Sequence, residues 1–155
     1  MANNLLFPEN GSTHAYLTDV EITKGEKQLL ERAEHGYLLL TLVSNLEKGF
    51  TISPDSIPLD GQLRLIHFGP LDGKRAMEIM TIAYDGGKHV LREEVGYEKV
   101  ERVKFSLKEK GSDWKWRRVC IDGAIVAIEE GGWFEVHVVD AKAEVLSVVS
   151  PNSGR

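Results

Sequence analysis

At 155 residues and 42 % hydrophobic composition, the chain is long enough to bury one ordinary core without help from disulfides. Its one cysteine, Cys120, excludes a disulfide framework or a cysteine-rich metal site within a single chain, and points to a reducing, intracellular setting. The formal charge of −5, with 19 basic residues interspersed among 24 acidic ones, leaves no basic block of the kind nucleic acid selects, so nucleic acid is not an expected partner. The longest apolar stretch, Tyr37 to Val43, falls far short of the roughly 20 residues a bilayer requires. The start, Met1-Ala-Asn-Asn, has no cationic region leading into an apolar run. A cytoplasmic protein is expected, with peripheral contact the nearest approach to a membrane.

No repeat, low-complexity tract or linker divides the chain, so one domain over residues 1–155 is expected, with residues 1–35 poorly assigned. Taken in order, Thr23 to Glu26 resembles a capping box ahead of Leu29, Leu30 and Ala33, which suggests a helix over 23–36, although Gly25 in its first turn opposes it. Strands are expected over 36–43 and 62–68. Between Lys74 and Tyr84, the residues Ala76, Met77, Ile79, Met80, Ala83 and Tyr84 recur at helical spacing, with Asp72 placed to cap the start and Gly86-Gly87 to end the run. Beyond it, apolar residues alternate with polar ones in Val103 to Leu107 and again in Phe134 to Val138, the period of a sheet with one wet face. Further strands are expected over 114–121, 124–128 and 143–149. Asp122-Gly123, Gly131-Gly132 and Asp140 to Lys142 read as turns of successive hairpins, because such residues accept the positive φ of tight turns. The fold class that follows is mainly β: an antiparallel β-sandwich or barrel-like domain with one or two short helices.

Generic catalytic signatures are missing: there is no phosphate loop of the Gly-x-x-x-x-Gly-Lys type, no nucleophile elbow and no His-Glu-x-x-His pair. The five histidines are scattered, and Cys120, within the apolar Val119-Cys-Ile121, reads as a small core residue. Trp114 and Trp116, alternating with Lys115 and Arg117, would share one packed face of a strand; the alternative is an aromatic and basic surface for a lipid headgroup. Alone, Asp60-Gly61, Gly87-Lys-His89 and Asp122-Gly123 are ordinary turns.

Together and in order they carry a resemblance. Ser53-Pro-Asp-Ser-Ile-Pro-Leu-Asp-Gly61 running into an apolar strand, Arg75-Ala-Met77 opening a helix, Gly87-Lys-His-Val90, Val95-Gly-Tyr-Glu-Lys-Val100, Ile121-Asp-Gly123 and Phe134-Glu-Val-His-Val138 follow one another. Over roughly residues 36–149 the series resembles the carboxy-terminal half of lipid kinases of the diacylglycerol and sphingosine (sphingoid long-chain base) kinase family. What the resemblance implies is a two-domain enzyme that phosphorylates a lipid alcohol with ATP and Mg²⁺. An α/β half with a Gly-Gly-Asp-Gly-Thr loop would hold the nucleotide, and a β-rich half would form the lipid side of the cleft. No Gly-Gly-Asp-Gly occurs here, so the nucleotide-binding half is expected from a longer parent chain or a partner, in cis or in trans. Phosphoryl transfer depends on positioning and charge neutralisation that such a loop provides.

The resemblance also implies roles. Asp122 and Gly123 would lie near the nucleotide; Asp60, with the backbones of Ile57 and Gln62, would form a structural Mg²⁺ site, the competing reading being a turn that holds only water. Leu40, Leu42, Met77 and Met80 would line the lipid pocket, unless they simply fill the core. The family's Asp-Gly-Glu is Asp-Gly-Ala here, and Ala124 cannot accept a proton. Glu129 and Glu130 lie about 16–20 Å farther along at strand rise. No catalytic residue is therefore assigned, and whether the chain belongs to an active enzyme is left open. Two functions compete: the lipid-binding half of a lipid kinase, and a non-catalytic lipid-binding or protein-interaction module derived from one.

Overall fold

The computed structural model describes residues 14–111, 114–140 and 145–149. The strands are β1 Tyr16–Lys24, β2 Glu26–Leu29, β3 Glu34–His35, β4 Tyr37–Thr41, β5 Asn45–Glu47, β6 Phe50–Thr51 and β7 Leu63–Phe68. Helix α1 spans Gly73–Ile82, and β8 Val95–Val100, β9 Arg102–Leu107, β10 Arg118–Ile121, β11 Ala124–Ala127, β12 Trp133–Asp140 and β13 Val145–Val149 follow. Single 3₁₀ turns occupy Lys88–Leu91 and Trp114–Trp116.

The larger sheet runs β13-β12-β9-β1-β2, with β3 pairing the start of β1; a second sheet runs β4-β7-β8; β5-β6 and β10-β11 stand as separate hairpins. All pairings are antiparallel. Among the described residues both sheets are open and no barrel closes, so the expected mainly β, antiparallel class holds in its sandwich form.

Alternation decides the layers. On β1, Thr18, Val20 and Ile22 are buried while the residues between them are not, and Val20 and Ile22 sit opposite Phe105 and Val103 of β9. Those two face Phe134 and Val136 of β12, and the Phe105 and Phe134 rings stack with centroids 4.7 Å apart. Against this face lie Leu63, Leu65 and Val100 of the second sheet. The opposite face of that sheet, Ile66, Phe68 and Val95 with Tyr37 and Leu39, packs on Ile79, Met80 and Ala76 of α1. The layers are therefore sheet, sheet, helix, and β7, buried on both faces, reads as an almost unbroken apolar run.

Helix α1 begins where expected: the Asp72 carboxylate accepts the Arg75 backbone N–H at 3.0 Å, and Gly86 and Gly87 at φ 60° and 78° turn the chain beyond its end. Five expectations need correction. Residues 23–36 form no helix, because Gly25 at φ 76° folds β2 back on the end of β1, leaving Leu29 exposed and Leu30 on the core. Residues 114–116 form a 3₁₀ turn and not the start of a strand. Trp114 is exposed, while Arg117 is buried because its guanidinium donates to the carbonyls of Gly111 and Ile128. Cys120 is exposed, since among the described residues β10 pairs only with β11 and turns its outer side to solvent. Gly131-Gly132 joins two separate sheets, so β11 and β12 are not a hairpin. Residues 141–144, which hold the rest of the expected Asp140–Lys142 turn and the first residues of the 143–149 strand, lie outside the described residues.

Candidate functional site

Three segments far apart in the sequence meet beside the free edge of β8. The Tyr97 hydroxyl lies 2.8 Å from Ser53 Oγ and accepts the Asp55 backbone N–H at 3.1 Å, and Ser53 and Ser56 are themselves 2.7 Å apart. Arg64 reinforces the junction, donating to the Asp55 carbonyl at 3.2 Å with its guanidinium 5.9 Å from the centre of the Tyr97 ring. Gly87 presses on the same loop from the other side, where a Cβ would come within 3.0 Å of Pro54 Cβ and of the Thr51 carbonyl. His89, two residues on, is buried, and burial holds its imidazole below the ordinary value of 6.5 while the Ile52 and Gly87 carbonyls pull the other way. Between these segments runs an open groove of about 540 Å³ whose walls include Pro54, Asp55, Gly87, Leu91, Gly96 and Tyr97.

The Asp60 turn continues from that loop. Asp60 Oδ1 accepts the Gln62 backbone N–H at 2.8 Å, the Asp60 carbonyl accepts Gln62 Nε2 at 3.2 Å, and the Ile57 carbonyl accepts the Asp60 N–H at 3.2 Å. Leu59 and Gly61, at φ 62° and 63°, make the bend. Ile57, Asp60 and Gln62 thus belong to one tight turn whose oxygens already organise it. A carboxylate and carbonyls are the donors a hard cation takes, and Mg²⁺ completes its shell with water, so the residues fit such an ion in kind. Among the described residues, no group of three or more His, Cys, Asp or Glu side chains is placed to hold a metal.

Asp122 and Gly123 are the two residues of the β10–β11 turn, at φ 48° and 85°, with Ile121 paired to Ala124 on either side. Positive φ at both positions is the type I′ geometry that Asp-Gly favours, and it sets the Asp122 carboxylate in solvent at a hairpin tip. Ala124 is exposed beside it.

The structure does not bring Leu40, Leu42, Met77 and Met80 together. Leu40 and Leu42 join the core between the sheets, whereas Met80, on the inner side of α1, packs against the other face of the second sheet. Met77 is exposed and lines a shallow groove of about 950 Å³ along α1 with Lys74, Arg75, Ile82 and Arg92. Arg75 is held there by Glu94, which accepts its Nε at 2.9 Å.

Sequence reasoning missed the inner-face histidines. His67 and His35, with ring centroids 6.4 Å apart, are buried between the sheets. His35 Nε2 reaches the Thr18 carbonyl at 3.2 Å, while the His67 ring lies over Gly96, its partner across β7 and β8. Burial, and secondarily the positive charge of Arg32, push the His67 pKa down to about 4. The period-2 alternation through β7 puts His67 on the same side as Leu63 and Leu65, the one signal that could have marked it as interior.

Comparison with models of known protein families finds no match, and comparison with curated protein sequences finds none either.

Proposed function

We propose that this chain is the lipid-facing half of an ATP-dependent lipid kinase acting on a sphingoid base, ceramide or diacylglycerol, incomplete as a catalyst without a nucleotide-binding half. The observation that carries the reading is the convergence of Ser53–Ser56, Gly87–His89 and Tyr97 on one junction. Three segments of a sequence series whose members are individually ordinary are parts of one arrangement, as they would be if inherited together. The arrangement braces the loop leading to Asp60. If Mg²⁺ binds there, Asp60 and the carbonyls of Ile57 and Gln62 hold it, and its chemistry is to tie the turn electrostatically.

A second reading has its own support. Ala124 stands where a proton acceptor is expected, and neither the groove on α1 nor the one beside β8 includes Asp122. A non-catalytic lipid-binding or interaction module derived from such a kinase accounts for both. In either case the seat for an acyl chain is the Met77 and Ile82 side of α1 rather than Leu40 and Leu42, which the core already uses.

The test is titration of fluorescent sphingosine and diacylglycerol into the purified chain, with and without Mg²⁺. Saturable micromolar binding that Met77→Glu weakens supports both readings, and a nucleotide-binding half added in trans then separates them by the appearance of ATP-dependent phosphorylation. Absence of lipid binding removes the kinase reading and leaves only the protein-interaction form of the second.

A further inference from the structure

Residues 30–36 strap the two sheets together. The Leu30 N–H donates to the Val20 carbonyl at 2.9 Å, the Ala33 carbonyl accepts the Thr18 N–H at 3.0 Å, and β3 pairs with the start of β1. The chain then crosses to the second sheet, where the Gly36 N–H donates to the Phe68 carbonyl at 3.0 Å. The crossing lies so close on the end of β7 that a Cβ on Gly36 would fall 2.6 Å from the Gly69 carbonyl oxygen. Residues 31–34 are exposed, so few contacts besides these hold the strap down, as in segments that open locally before a domain unfolds.

Beneath it the charges are one-sided. His35 of the strap and His67 of β7 are 0 % and 8 % exposed, with their rings edge to face at 6.4 Å. His35 Nε2 reaches the Thr18 carbonyl, and neither nitrogen of His67 has a hydrogen-bond partner among the described residues. Arg32, also on the strap, lies over Gly69, where a Cβ would be 3.3 Å from its guanidinium. Lys24 of β1 and Glu98 of β8 are the charges that reach His67 from the adjoining strands, and they are paired with each other. Tyr16 is the cross-strand partner of His35, and Glu31 and Glu34 stand exposed on the strap. One acid, already engaged, is thus set against Arg32, Lys24 and two imidazoles. Burial, with the charge of Arg32 adding to it, keeps both rings below 6.5, His67 at about 4. A first proton would meet Arg32, and a second would meet the first on the neighbouring ring. Lifting the strap puts both rings in water and removes that cost.

We propose that residues 30–36 are an acid-released strap, which lifts from β7 in mild acid while the strands of the larger sheet stay paired, and so uncovers the inter-sheet interior at that end. The open form takes up the protons, so its fraction rises as pH falls from 6.5 towards 4, by up to about tenfold per pH unit for each ring.

The test is hydrogen exchange of the full chain, followed by mass spectrometry at pH 7.5 and 5.0 with each rate divided by its intrinsic value. Peptides covering 30–36 should lose protection at pH 5.0 on the order of tenfold or more, while those covering 102–107 and 133–138 keep theirs and the far-ultraviolet dichroism is unchanged. Arg32→Gln, at an exposed position that leaves the fold intact, removes one repelling charge and should reduce the loss. His67→Gln, which takes no proton in this range, should reduce it further. The proposal is overturned if 30–36 is equally protected at both pH values, if all strands lose protection together, or if neither variant reduces the loss.

Discussion

The imidazole of His67 occupies the space that a side chain on Gly96 would need: a Cβ there would fall 2.1 Å from His67 Nε2. Gly96→Ala therefore forces the ring out of a packed inter-sheet space and lowers stability by about 1–3 kcal/mol. Because the clash is with one ring, His67→Ala in the same chain removes it, and a double-mutant cycle by chemical denaturation should return a strongly favourable coupling. The same ring sets a pH dependence. Its folded pKa of about 4 lies below the 6.5 of the unfolded chain, so between those values the unfolded state binds more protons, and stability falls as pH drops from about 6.5 to 4. Melting temperatures across that window should lose part of their slope in His67→Gln.

At the level of elements, the caps and turns are the parts that local chemistry sets. Asp72→Ala removes the oxygen that receives the Arg75 N–H and should cost about 1 kcal/mol in urea unfolding. Gly87→Ala meets both a left-handed backbone and the Pro54 loop, so its cost should exceed that of the cap. Such features were legible beforehand: the α1 cap, the Asp122-Gly123 turn and the alternating strands β9 and β12 all depend on residues adjacent in sequence. β1 was not, although Thr18, Val20 and Ile22 alternate plainly, because Thr23 and Glu26 imitate a helix start and Gly25 betrays its purpose only once φ is known. The junction at Tyr97 was legible only as a series of motifs. That Tyr97 touches Ser53 and Asp55 depends on a strand crossing no local pattern encodes. The exposed face of β10 was hidden for the opposite reason, since Val119-Cys-Ile121 is as apolar as a core strand, yet among the described residues β10 pairs only with β11 and Cys120 stands in solvent.

Across the whole molecule, β7 is shared by both packed interiors. Leu63 and Leu65 face the larger sheet, Ile66 and Phe68 face α1. Leu65→Ala should cost about 2–5 kcal/mol and lower the transitions seen by tryptophan emission and by far-ultraviolet dichroism together, since loosening the shared strand disturbs both layers.

The placement of β1 bears on how the chain is made. Thr18 donates its hydroxyl to the carbonyl of Ser106, 88 positions away, and β1 is an interior strand of its sheet, between β9 and β2. On a ribosome, β1 therefore emerges well before β9, and its alternating valine and isoleucine lack that neighbour until some 88 further residues have been translated. Long-range closure of that kind is slow, and an unpaired apolar strand is the segment most exposed to wrong partners meanwhile. The early β1–β2 turn at Gly25 gives the nascent strand a provisional neighbour, with Lys27 drawn to Glu21 at 2.9 Å, and so shields one of its edges during synthesis.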